Sequence, residues 1–162
     1  MLIDVTPFTS GPRQIENAVL TQKNPNQVAV AERISGYIDH YQPLFLRRAL
    51  GNRIWAAIDE YTRYEHCDKD EEKERLIGLL KEPFADFVFF HMLRDMNVQP
   101  TITGLVRLKC ANDYVSPIDK QVQTWNHMAD ELRYFLCEAE IHGVEGVDID
   151  IDMLTYINNF NL

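Results

Sequence analysis

The most regular pattern in the chain lies towards its C-terminal third. Ile118, Val122, Trp125, Ala129, Leu132, Leu136 and Ala139 recur at alternating steps of four and three, which is the spacing of one helical face. Met128 and Phe135 widen that face. Ser116 can cap the helix, Pro117 suits its first position, and Asp119 complements its dipole. The pattern predicts a helix over 117–140 that exits through Gly143 and Gly146.

A second stripe starts near Asn26, where Ala31, Ile34, Ile38 and Tyr41 keep helical steps. Pro43 is expected to end or kink this helix. A short run over 44–50 stops at Gly51, and Ile54, Ala57, Ile58 and Tyr61 restart the stripe. Two or three helices folded on one another are expected here. The run Asp68-Lys-Asp-Glu-Glu-Lys-Glu-Arg75 reads as a solvated first turn, with Glu71 and Arg75 at i,i+4 spacing. Pro83 is expected to open a further helix over 84–97. Ala85, Phe89, Met92 and Met96 form one stripe of it, Phe84, Phe87, Val88 and His91 another, and Phe90 and Leu93 a third side. A helix apolar nearly all round belongs deep in a bundle or between subunits. His91, set among aromatics, reads as a hydrogen-bonded core histidine.

Three segments break the helical period. Residues 1–25 carry Pro7, Gly11, Pro12 and Pro25 and read as an arm, with a short helix near 15–20, ordered by a neighbouring subunit. Residues 98–115 hold Pro100 and the β-branched run Thr101-Ile-Thr-Gly-Leu-Val106, which suits a short hairpin or extended loop before the last long helix. Residues 147–162 alternate as Val147-Asp-Ile-Asp-Ile-Asp152, an edge-strand pattern, and then show Leu154, Ile157 and Phe160 at amphipathic spacing. The expected fold is mainly α: an arm over 1–25, a compact helical bundle over 26–146 and a tail over 147–162.

Charge narrows what such a fold can do. The net charge is −9, and a protein that grips a nucleic-acid backbone needs a concentrated basic surface. Arg47, Arg48 and Arg53 form the one dense basic group. No apolar stretch is long enough for a membrane span, and the first residues lack the basic and apolar regions of a secretory signal. Cys67, Cys110 and Cys137 are widely spaced and form no C-x-x-C pair; reduced, intracellular thiols are expected, with Cys137 a small core residue.

Candidate chemistry is sparse. Asp148, Asp150 and Asp152 have the D-x-D-x-D spacing of calcium loops, but the sixth and twelfth positions hold Met153 and Asn159 instead of Gly and an acid. Glu65, His66, Cys67 and Asp68 are sequence neighbours that a helix would point in different directions. The five histidines form no metalloprotease motif, and nucleophile-elbow and phosphate-loop patterns are absent. No catalytic, cofactor or metal residue is expected, and the chain reads as a binding protein rather than an enzyme.

The order of features resembles a known family. Tyr37-Ile38, then Tyr41-Gln-Pro-Leu-Phe-Leu-Arg-Arg-Ala-Leu-Gly51, the aromatic stretch over 84–96, Thr103-Gly104, Ser116-Pro117, Lys120 and Trp125-Asn126-x-Met128 look like the head–tail connector (adaptor, head-completion) proteins of tailed phages and prophages. The resemblance covers roughly residues 34–135. It implies a structural virion protein that forms a homo-oligomeric ring beneath the portal, binds portal and tail proteins, and passes from the host cytoplasm into the virion. It implies no catalytic residues. The expected subunit contacts are Arg47, Arg48 and Arg53 against Asp68, Asp70, Glu71 and Glu72 of a neighbour. Phe8, Ile102, Leu105, Val106, Ile157 and Phe160 are expected to add apolar contacts. The competing reading is a non-viral cytoplasmic helical interaction module, also without catalysis.

Overall fold

Asn24 starts the first helix. Its side-chain oxygen accepts the Gln27 N–H at 3.0 Å, and Pro25 fills the position where a missing donor does no harm. Helix α1 then runs Pro25–Leu50, and α2 follows over Trp55–Arg63. The computed structural model describes residues 1–64, 70–96, 98–101, 104–107 and 116–160, with backbone alone for 96, 98–101 and 104–107. The described residues are mainly helical, adding α3 (Glu71–Met96), α4 (Ile118–Ile141) and the single turn α5 (Ile151–Leu154). Before α4, the backbone of β1 (Val98–Thr101) pairs antiparallel with β2 (Gly104–Arg107), Val98 opposite Arg107. No helix of the described residues is long and apolar enough to cross a membrane.

Two prolines lie inside helices rather than at their ends. Pro43 lies inside α1 and Pro83 inside α3, so neither ends nor opens a helix. A proline inside a helix costs about 3 kcal/mol. The packing around each outweighs that. Gln42, Phe45 and Leu46 flank Pro43 and are buried, and every residue from 83 to 90 is buried. Fully burying one large apolar side chain returns about 1.5–3 kcal/mol, so two or three such neighbours suffice to carry the helix through.

The core is aromatic. Phe45 packs on Phe84 and Phe87 with ring centroids 5.0 and 5.5 Å apart, and Trp125 meets Phe90 at 4.9 Å. The α3–α4 pair is thereby the central contact, with Phe89 and Trp125 both buried as the stripes predict. The buried face of α4 is turned slightly from the expected one. Gln121, Thr124, Met128 and Phe135 are buried on it, whereas Ile118 is exposed and Val122 and Leu136 are half-buried.

Both chain ends fold back onto this body. Phe8 has no exposed surface, and Leu2, Ile3 and Ala18 are buried with it. Residues 1–25 are thus a strap on their own bundle rather than an arm awaiting a neighbour. Two 3-10 turns, Thr6–Phe8 and Gly11–Arg13, aim its few apolar groups inward without any long periodic pattern. The stretch over 15–20 forms turns, with Asn17 at positive φ, and no helix. The 147–152 alternation does not make an edge strand either. Asp148 N–H donates to the Leu50 carbonyl at 3.3 Å and Asp150 N–H to the Arg48 carbonyl at 2.8 Å, so the tail closes the end of α1. Gly51 permits this crossing. Its φ of 75° and ψ of 176° are open only to glycine, and a Cβ there would lie 2.8 Å from Asp148 Cβ.

Candidate functional site

Asp86 of α3 joins three elements. Its carboxylate is 5% exposed, accepts Arg13 Nη1 from the strap at 2.9 Å, and lies 2.5 Å from His127 Nδ1 of α4. Arg13 Nη2 also reaches Glu82 Oε2 at 2.5 Å. A buried carboxylate needs such partners, because desolvation without them would neutralise it. The hydrogen bond to Asp86 raises the His127 pKa above its ordinary value, against a smaller opposing effect of burial. The junction lines a cleft of about 270 Å³ that Lys120, Gln123 and Thr124 complete. It ties the strap to α3 and α4, and its members lie 73 and 41 residues apart in sequence.

A second recess, about 430 Å³, lies where α1 meets the end of α3 and is lined by Arg33, Gly36, Tyr37, His40, Tyr41 and Asp95. Tyr37 Oη donates to Asp95 Oδ2 at 3.0 Å, and burial followed by that carboxylate pushes the phenol up to about 12. Tyr41 lies almost flat on the His91 ring at 4.2 Å, and His40 meets Tyr41 edge-on at 4.8 Å. His91 differs from its expected hydrogen-bonded state, because its Nε2 is buried with no hydrogen-bond partner. Burial, then the Arg94 charge, pushes its pKa down to about 4, so it is a neutral aromatic plate.

The residues singled out as a subunit interface are distributed unevenly. Arg47 and Arg53 are exposed. Arg48 is engaged within its own chain, its Nε 2.8 Å from Asp150 Oδ2, which holds the Asp150 carboxyl below its ordinary pKa. Asp70 caps α3 by accepting the Lys73 N–H at 3.2 Å, while Glu71 and Glu72 are exposed on the first turn. Asp68 and Ile102 lie outside the described residues, as do the side chains of Leu105 and Val106, whose backbone belongs to β2. Phe8 is buried rather than exposed, and Ile157 is half-buried with its N–H on Asn126 Oδ1 at 2.9 Å. Phe160 is 98% exposed.

The other sequence candidates have structural roles or none. Asp150 also accepts the Asp152 N–H and caps α5. Among the described residues no group of three or more His, Cys, Asp or Glu side chains is placed to hold a metal ion. Cys137 is exposed rather than a core residue, because the buried face of α4 is centred on its neighbours. Glu65, His66, Cys67 and Cys110 lie outside the described residues. No protein-family model matches the chain, and neither a curated protein nor a solved structure is significantly similar to it.

Proposed function

We propose that the chain is a head–tail connector subunit of a tailed phage or prophage, a non-catalytic building block that assembles as a ring beneath the portal. One observation carries this reading. The stretch Tyr41–Gly51, part of the family resemblance, is where both terminal segments are fastened. Gln42 holds the Leu2 N–H at 2.6 Å, the Arg48 and Leu50 carbonyls take the tail amides, and Gly51 leaves room for Asp148. Phe45, Leu46, Ala49 and Leu50 are core residues of the same stretch. A motif with that role describes a rigid body to be stacked against copies, not a reaction centre.

In this reading a compact helical bundle carries a short β-hairpin before α4 as a reaching element. Because the strap is folded in, the contacts between copies fall to groups left exposed: Arg47 and Arg53 at one end of α1, Glu71 and Glu72 on the first turn of α3. Such a two-patch, head-to-tail contact closes into a ring when its rotation allows. The net charge of −9 suits a conduit, because an acidic wall repels phosphate and lets a duplex slide.

Reciprocal charge reversal tests the contact. Arg47→Glu with Arg53→Glu should prevent assembly on the portal, as should Glu71→Arg with Glu72→Arg, and mixing the two variants should restore opposite charge at every alternating contact and recover assembly by light scattering. Normal assembly of both variants would remove the proposed contact.

A further inference from the structure

Gly36 has no explanation within the folded chain. It lies in the middle of α1, its φ is not positive, and a Cβ placed on it would meet nothing within 4 Å. Glycine at an interior helix position costs about 1 kcal/mol relative to alanine, and here no intramolecular contact requires it. Gly78 is open in the same way but lines neither recess described above. Gly36 does line one, beside Tyr37, His40, Tyr41 and Asp95. A missing side chain in the wall of an aromatic recess allows a visiting group to approach the backbone closely.

The remaining walls say what that group is. Tyr37 and Tyr41 stand with ring planes 20° apart and centroids 6.1 Å apart, and the Tyr41–His91 stack holds Tyr41 in place from within. Asp95 is exposed, and Tyr37 Oη fixes one of its oxygens at 3.0 Å. Electron-rich ring faces beside an oriented carboxylate favour a planar cation, which can stack on a phenol and reach the carboxylate with N–H donors. Arg33 shares the recess, yet no ion pair within 4.0 Å joins it to Asp95. The chain as a whole carries −9, which draws basic partners towards it.

We propose that this recess is a receptor for a guanidinium group, an arginine side chain presented by a partner protein. The site does not depend on ring formation and stands or falls separately. Arg33 opposes the incoming cation, so the two charged walls act with opposite sign. Asp95→Asn removes the attraction while keeping an acceptor for Tyr37. Arg33→Gln removes the repulsion. Gly36→Leu fills the recess, leaves every charge in place and improves the helix.

The probe is N-acetyl-arginine amide, with N-acetyl-glutamate amide and N-acetyl-norleucine amide as controls, titrated into the full chain while the Tyr37 and Tyr41 ring signals are followed by NMR. The expected result is a saturable shift with the arginine probe alone. Asp95→Asn should weaken it by about fivefold and Arg33→Gln should tighten it by about twofold, in keeping with exposed ion pairs. Gly36→Leu should abolish it while raising the melting temperature, which separates loss of binding from loss of fold. No shift at tens of millimolar, equal response to the glutamate or norleucine probe, or unchanged binding by Asp95→Asn would each overturn the proposal.

Discussion

Gln42 Oε1 accepts the backbone N–H of Leu2 at 2.6 Å, so one buried side chain in the middle of α1 holds the start of the chain. The same amide donates to Asp59 Oδ1 at 2.8 Å and Thr62 Oγ1 at 3.0 Å, tying α1 to α2. Gln42→Leu keeps the volume and leaves the buried Leu2 N–H without its acceptor. It should destabilise the protein by about 1–3 kcal/mol in urea unfolding. Limited proteolysis should then cut first within residues 1–24. A variant as stable and as resistant as the wild type would show that the strap is held by its apolar groups alone.

Trp125 ties α4 to both α3 and the tail, since its ring packs on Phe90 and its Nε1–H donates to the Thr155 carbonyl at 2.9 Å. Trp125→Ala should cost about 3–5 kcal/mol, as other large-to-small core changes do. Phe160→Ala should change stability by less than about 0.5 kcal/mol, because that ring is exposed. Thermal unfolding of the pair checks the contrast. Equal effects would mean that the tail packs differently.

Two histidines should titrate on opposite sides of pH 6.5. Folded His91 resists protonation down to about pH 4, so the unfolded chain takes up a proton first and stability falls as pH drops from about 6.5 to 4. His127 has a raised pKa. Its contribution is fully present below about 6.5 and is lost as pH rises through the higher folded value. Together they place a stability maximum near pH 6.5. NMR titration of the ring protons should give His127 the higher pKa, and His91→Phe should flatten the acid side of the stability curve. The reverse order would contradict both environments.

Gly51→Ala should be far more damaging than an ordinary surface change. Its backbone is at φ 75°, ψ 176° and the added methyl would strike Asp148. Strain of this kind costs about 1–3 kcal/mol before the clash is counted. Chemical denaturation measures it. A neutral effect would show that the tail can leave the end of α1 freely.

What the sequence made legible follows the reach of its signals. The α4 stripe and the α3 aromatics repeat every three or four residues, so their helices and their mutual packing could be read directly. Gly51 was legible as a stop, since a glycine after a periodic run is a local sign. Pro43 and Pro83 lie inside helices because buried neighbours, Gln42, Phe45 and Leu46 at the one and residues 84–90 at the other, outweigh the local rule. The strap gave no warning: Leu2, Ile3 and Phe8 are too few and too irregular to show a period, yet each finds a place in the core. Arg13, Asp86 and His127 meet only after folding, and no spacing in the chain announces them. The aromatic recess was half visible, as Tyr37 and Tyr41 share a helical face, but Asp95 joins them from another helix.

In the proposed function this body is one subunit of a ring on a portal. Electron microscopy of the purified protein, alone and mixed with a candidate portal protein, tests ring assembly. A monomer alone is compatible with templated assembly, so the mixture decides. Rings stacked coaxially on the portal are expected, and they should be lost with the Arg47→Glu, Arg53→Glu variant. A portal that stays bare at saturating protein, or a genomic neighbourhood with no portal, capsid or tail gene, would contradict the proposed function.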